Sequence, residues 1–172
     1  YHPYPQSLFA KDAWHDAKAK EDLETPLITI QNIDVLVQFL DSPKMHDKSG
    51  KIRPVLLSEQ GYHSASYSDE DQASQAGSLW YAMKRIRDKS WIESFHYHRW
   101  IDHPAEGGLR LGLRTLPSEG ERLGRRKRSW SVYQAIGTEN EADVTRDLPK
   151  PIDDVDSPTR RNTKTRFAPQ EK

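Results

Sequence analysis

The sequence predicts an α/β fold with a parallel sheet, read in order as strand, helix, strand, helix, strand, helix. Three observations carry that reading. Val55-Leu56-Leu57 is a short, continuous apolar run closed by Gly61, the pattern of a strand covered on both faces. Ala73, Ala76, Leu79, Trp80, Met83 and Ile86 recur at helical spacing. "SWIESFHYHRWIDH" then spreads aromatics and isoleucine along an extended segment, whose alternation places Ile92, Ser94, His96, His98 and Trp100 on one face. Strands that alternate with helices imply a parallel sheet with crossover connections.

Each element follows from local sequence. The opening "YHPYPQSLF" holds two prolines, and the residue before each is biased away from helix, so it is extended or looping at the end of a strand. Lys11 to Thr25 is charged and aperiodic, a loop with a helical turn. Ile30, Ile33, Leu36, Val37 and Leu40 give a helix from about Gln31 to Leu40. "SPKMHDKSGK" is a loop, and "SDEDQ" supplies the serine and acidic residues that favour the start of the next helix. "PAEGGLRLGLRTLPSEGERLG" is a glycine-punctuated loop that lacks the G-K-[ST] ending of a phosphate-binding loop, so no nucleotide role is expected. "GRRKRS" reads as the solvated start of a last helix in which Trp130, Tyr133 and Ile136 lie three apart and Gly137 is the stop. From Thr138 to Lys172 the chain is polar, proline-bearing and without periodicity. A segment that buries so little apolar surface cannot offset its ordering entropy, so 1–137 is the expected folded unit and 138–172 a disordered tail.

Composition narrows the classes further. Only 34% of the 172 residues are hydrophobic, 30% are charged, and the mean hydropathy is −0.92, so a core is expected for part of the chain. Lysine plus arginine and aspartate plus glutamate balance at 26 each, which gives no bulk field for nucleic acid or an anionic membrane. No stretch approaches the roughly 20 apolar residues of a membrane span. There is no cysteine, hence no thiolate nucleophile, thiolate metal site or disulfide. No cofactor is expected.

Chemistry-bearing residues gather in three places: "YHPY" at Tyr1 to Tyr4, "SEQGYH" at Ser58 to His63, and "HYHRWIDH" at His96 to His103. Each falls at the C-terminal end of an expected strand, the edge where parallel α/β folds bind ligands. Five of the seven histidines lie in these clusters. Glu59, at a strand end beside aromatics, suits a nucleophile or general base; it also suits a helix cap or an arginine partner. His96 and His98 share a face if extended, and with Asp102 and His103 they suggest a divalent metal site. The spacing is similar to the H-x-H-x-D-H run of metallo-β-lactamase-type hydrolases, but three residues, Arg99-Trp100-Ile101, separate His98 from Asp102 where that motif has one. The same histidines and Arg99 equally suit hydrogen bonding to sugar hydroxyls. Trp80, Trp130 and Tyr133 sit on helical apolar stripes and are expected in the core. Tyr4, Tyr62, Tyr97 and Trp100 flank the polar clusters, where they can stack on a sugar or simply pack.

"HPYPQSLF…W", "TPLITIQNIDVL", "RPVLLSEQGYHS" and "HYHRWIDHPAEGGLRLGL", in that order, resemble the C-terminal part of a bacterial TIM-barrel family of unknown function, largely exported and similar to clan A retaining glycoside hydrolases. The resemblance covers about Tyr1 to Gly137. It implies strands six to eight, with their helices, of a (β/α)8 barrel. It also implies a secreted or periplasmic protein that cleaves glycosidic bonds in oligo- or polysaccharides, with Glu59 as the nucleophile. His2, Tyr4, Tyr62, His63, His96, His98, Arg99, Trp100 and Asp102 would then contact the substrate. The histidine-rich stretch departs from the lone tryptophan usual at the eighth strand of that clan. A whole barrel takes roughly 250 residues, so the chain is expected to be the last part of a larger enzyme, with the acid/base carboxylate upstream of Tyr1 on the N-terminal remainder of the barrel. Two other readings stand beside it: a metal-dependent hydrolase using His96, His98, Asp102 and His103, and a non-catalytic carbohydrate-binding barrel.

Overall fold

In the computed structural model, residues 1–151 are described. The elements are α1 (Asp34–Leu40), β1 (Val55–Gln60), α2 (Asp69–Ile86), β2 (Ile92–Tyr97), α3 (Arg128–Ala135) and α4 (Glu141–Thr145). β1 and β2 pair in parallel, and α2 is the connection between them. The opening residues extend this pairing. The Tyr1 amino group donates to Leu56 O at 2.8 Å, and Ser58 N–H donates to Tyr1 O at 3.2 Å. Those two bonds bracket Leu57 as a parallel ladder does. Tyr1, β1 and β2 therefore lie side by side, in that order.

The sheet is parallel because α2 is a strong helix that must return the chain. Ser68 caps it, its Oγ accepting from Asp71 N–H at 3.2 Å, and Asp69, Glu70 and Asp71 occupy the first turn. Its apolar stripe carries Ala76, Leu79 and Ala82 into one core with Leu57 of β1, Leu36 of α1 and Ile33 just before it, and Val132 of α3. Gln75, wholly buried, ties the layers together. Its amide nitrogen lies within hydrogen-bonding reach of Tyr62 O, Arg110 O and Gly112 O, and its Oε1 accepts from Ser129 Oγ at 3.1 Å.

Two differences from the sequence reading have plain causes. The third strand ends at Tyr97, not His103. The chain beyond His98 pairs with the glycine-rich segment instead, Leu113 N–H donating to Arg99 O and Arg114 N–H to Trp100 O. The polar stretch from Thr138 is also ordered at its start. Glu141 of α4 accepts from Trp80 Nε1–H at 3.0 Å and from Arg87 at 2.7 Å, and Leu148 enters the core. Anchors on α2 thus supply what apolar periodicity did not. The rest of the expected tail, 152–172, lies outside the described residues. No helix among the described residues is long and apolar enough to cross a membrane.

Gly61, where β1 runs out, marks a close approach. A Cβ built there would lie 1.9 Å from the carbonyl oxygen of His98, beside the bond that His98 N–H donates to Gln60 O at 2.8 Å. Backbone cannot yield as a flexible side chain can. Gly61→Ala is therefore expected to destabilise the protein by about 1–3 kcal/mol or more, read as a lowered urea midpoint with an unchanged slope.

Candidate functional site

β1 carries one residue more than β2 between Leu57↔Phe95 and Gln60↔Tyr97: three steps on β1 oppose two on β2. Bulges of this kind re-aim side chains and often border sites. Here the extra residue makes Gln60, instead of Glu59, the buried successor to Leu57. Glu59 stays half-buried and accepts a hydrogen bond from the Tyr4 hydroxyl at 3.0 Å. His2 Nε2 meets Ser58 Oγ at 3.1 Å on the exposed side of the same junction. Residues of the first two clusters are thus joined between the opening segment and β1, where the sheet itself has only the two strands β1 and β2 among the described residues.

β2 contributes the other half. Just past its end, His98 Nε2 lies 3.1 Å from Glu106 Oε1, and Arg99 Nη1 donates to the same oxygen at 2.5 Å. Glu106 reaches back because the chain reverses after it: Leu109 N–H donates to Glu106 O, while Gly107 and Gly108 take positive φ values of 60° and 89° that side chains disfavour. Burial pushes the Glu106 carboxyl up, but the hydrogen bonds and charges of Arg99 and His98 outweigh it and hold the group below the usual carboxylate range. Glu106 is therefore an anion at neutral pH. Its second oxygen, Oε2, is buried without a hydrogen-bond partner among the described residues.

Tyr4 links the two halves. Its hydroxyl is pushed far above the ordinary tyrosine value, first by burial, then by the bond to Glu59, and further by the charges of Glu59 and Glu106. Both carboxylates thus act on one phenol, which stays protonated and donating. The result is a polar cluster past the C-terminal ends of β1 and β2, with the Tyr4–Glu59 pair on one side and Glu106, His98 and Arg99 on the other.

Other expected site residues lie elsewhere. Tyr62 is 4% exposed and belongs to the core. His63 is buried against Phe9, and its Nδ1 accepts from Arg110 N–H at 3.0 Å. Burial, with the nearby cations Arg110 and Lys127, pushes its pKa down. Asp102 is 3% exposed; Lys127 Nζ sits 3.2 Å from both its oxygens, and Gly112 N–H donates to Oδ1 at 2.6 Å. Those partners leave Asp102 a structural role. His96 is exposed on β2, and His103 Nδ1 accepts from Ala105 N–H. His96, His98, Asp102 and His103 therefore do not converge, and no group of three or more His, Asp or Glu side chains among the described residues is arranged to hold a metal ion.

Glu106 is the site residue that strand reasoning missed. The signal was present as the acid in "HPAEGG", since two glycines behind a carboxylate mark a turn that can fold it back onto a preceding histidine and arginine.

The fold and this cluster define an α/β protein with a two-stranded parallel sheet and a polar cluster at the carboxyl ends of its strands. The chain belongs to a family of unknown function (DUF5722), whose family model matches residues 1–156. No curated protein and no solved structure matches it.

Proposed function

We propose that this protein is a glycoside-hydrolase-like enzyme of (β/α)8 barrel type acting on oligo- or polysaccharides by a retaining mechanism, with Glu59 as the nucleophile. The observation that carries this reading is the hydrogen bond from Tyr4, in the extended opening segment that pairs through Tyr1 with β1, to Glu59 at the C-terminal end of β1, the edge where barrel enzymes keep their chemistry. In this mechanism Glu59 attacks the anomeric carbon as the bond to the leaving oxygen breaks. A second carboxylic acid protonates that oxygen, and water later hydrolyses the glycosyl ester. Tyr4 holds the Glu59 carboxylate in place and helps spread its charge before attack. Glu106, kept anionic by Arg99 and His98, is unsuited to be the proton donor. The acid/base residue belongs to a strand outside the described residues in this reading. An uncovered sheet face supports it: Leu56 is 48% exposed, and with Tyr1, Ile28 and Phe39 it lines an apolar groove of about 690 Å³, the kind of surface on which further barrel strands pack.

The test is covalent trapping. In protein that releases phenol from aryl glycosides, an activated 2-deoxy-2-fluoro glycoside should esterify Glu59, identified by peptide mass spectrometry. A label on a different carboxylate, or turnover with net inversion at the anomeric carbon, would remove Glu59 from this role.

A further inference from the structure

Beyond that cluster, the chain from Trp100 to Trp130 builds a cationic aromatic platform that no ion pair explains. Residues 113–115 run antiparallel to 125–127: Lys127 N–H donates to Leu113 O and Thr115 N–H to Arg125 O. That places Arg114 directly opposite Arg126. Like charges facing each other across such a pair are destabilising. The two guanidinium groups are not relieved by a carboxylate, since no salt bridge or side-chain hydrogen bond to Asp or Glu involves either among the described residues. Both lie on one indole instead, the Arg114 Cζ at 4.7 Å and the Arg126 Cζ at 4.9 Å from the Trp130 ring centroid. Trp100 packs edge-on against that indole, centroids 4.6 Å apart, and Arg114 also faces it at 5.9 Å. Arg114 Nη1 donates to Gly124 O, but its Nε is buried without a partner.

Structural stacking alone accounts for Trp130, which is 8% exposed, but not for Trp100. That large ring stays 51% exposed directly after Arg99, which belongs to the polar cluster. A half-exposed indole beside two uncompensated guanidinium groups has the two features that recognise a charged sugar: an apolar face for the ring and a forked donor for its acid group.

We propose that Trp100, Arg114 and Arg126 form a subsite for an anionic sugar unit, its pyranose face on Trp100 and its carboxylate or sulfate on the arginines. This rests on the glycan reading of the adjoining polar cluster and adds the substrate class to it. Trp130 is the support that holds both arginines in place, and Arg126, exposed and joined to no acid, is the residue that meets the anion first.

The experiment measures binding of short oligogalacturonate, a sulfated oligosaccharide and a neutral cello-oligosaccharide to the full chain by titration calorimetry. At least one anionic oligomer should bind about tenfold or more tightly than the neutral one, and added salt should narrow the difference. A carboxylate-selective result identifies uronates as the source of the charge, and a sulfate-selective result identifies sulfated sugars. Arg126→Gln and Trp100→Ala both alter exposed side chains, so the fold should persist by circular dichroism. Arg126→Gln should narrow the anionic preference severalfold, with Arg114 the one guanidinium left in the subsite. Trp100→Ala should weaken all saccharides by about fivefold or more. Equal affinity for neutral and anionic oligomers, or an unaltered preference in Arg126→Gln, overturns the subsite and leaves the glycan reading standing. Tighter binding of a single-stranded oligonucleotide than of any saccharide, or no saccharide binding at all, overturns both.

Discussion

Lys127→Met is expected to lower the unfolding free energy by about 3–5 kcal/mol, the usual consequence of stranding one partner of a buried ion pair. The Lys127 side chain is wholly inaccessible and that of Asp102 is 1% exposed. The ammonium group spans both carboxylate oxygens and also donates to Arg110 O at 3.1 Å. Removing it leaves the Asp102 carboxylate in the interior with no cation on it, held only by the Gly112 N–H and the Tyr67 hydroxyl. The pair also staples three segments: the turn after β2, the glycine-rich segment and the start of α3. A methionine fills the volume, so the loss measures charge and not a cavity. The double variant Lys127→Met, Asp102→Leu removes both charges and should be far less destabilised than the sum of the single changes, because adjacent, hydrogen-bonded groups are not additive.

The same lysine gives a pH signature. Burial pushes its pKa down to about 8, against the pull of Asp102, with Arg110 adding to the depression. In the unfolded chain the group titrates near its ordinary value of about 10.4. Between those limits the unfolded state holds more protons, so this group makes unfolding less favourable as pH rises. Below about 8 both states are protonated and the contribution is flat. Urea midpoints of the natural protein and Lys127→Met at about pH 7 and about pH 9.5 separate this from other titrations. The stability gap should widen toward the higher pH. A gap that stays constant would show that Lys127 holds its proton in the fold as firmly as in the unfolded chain, and one that narrows that it holds it more firmly.

What was legible in the sequence, and what was not, divides along the range of the forces involved. The strand at Val55 and the capped helix ending at Ile86 are written in local periodicity, and they stand where the pattern put them; the opening segment, expected at the end of a strand, forms none. Lys127 was not legible. In "GRRKRS" it looks like one more solvated cation, and its partner lies 25 residues away across a turn that no periodicity announces. The order of 141–148 was hidden for a similar reason, since Glu141 depends on Trp80 and Arg87 of a distant helix. Tyr62 and His63 followed Glu59 in sequence and were read as pocket walls, but the bulge at Ser58–Glu59 separates Glu59 from them: it faces Tyr4 while they enter the core and the Arg110 contact. Tyr133 went the other way. Expected inside, it is 45% exposed.

Glu59→Gln tests the chemistry, and its expected effect is the largest on activity: turnover of an aryl glycoside should fall on the order of a thousandfold or more. The amide is nearly isosteric and can still accept from Tyr4, so the fold and substrate affinity should persist. What it cannot do is attack, because its oxygen carries no negative charge to form the ester bond. Tyr4→Phe supplies the comparison. It removes only the donor that positions Glu59 and shares its charge, so its loss should be smaller, about ten- to a hundredfold. It should also appear mainly in kcat, with KM little changed, as for an interaction that matters on the way to the transition state. In Glu59→Ala, which opens space, azide should restore turnover by taking the place of the carboxylate and yield the glycosyl azide of inverted configuration. That product forms only if the missing group stood on the face of the sugar opposite the leaving oxygen. Rescue with retained configuration, or a Tyr4→Phe loss equal to that of Glu59→Gln, would place the nucleophile elsewhere and reduce the Tyr4–Glu59 contact to a strut between the opening segment and β1.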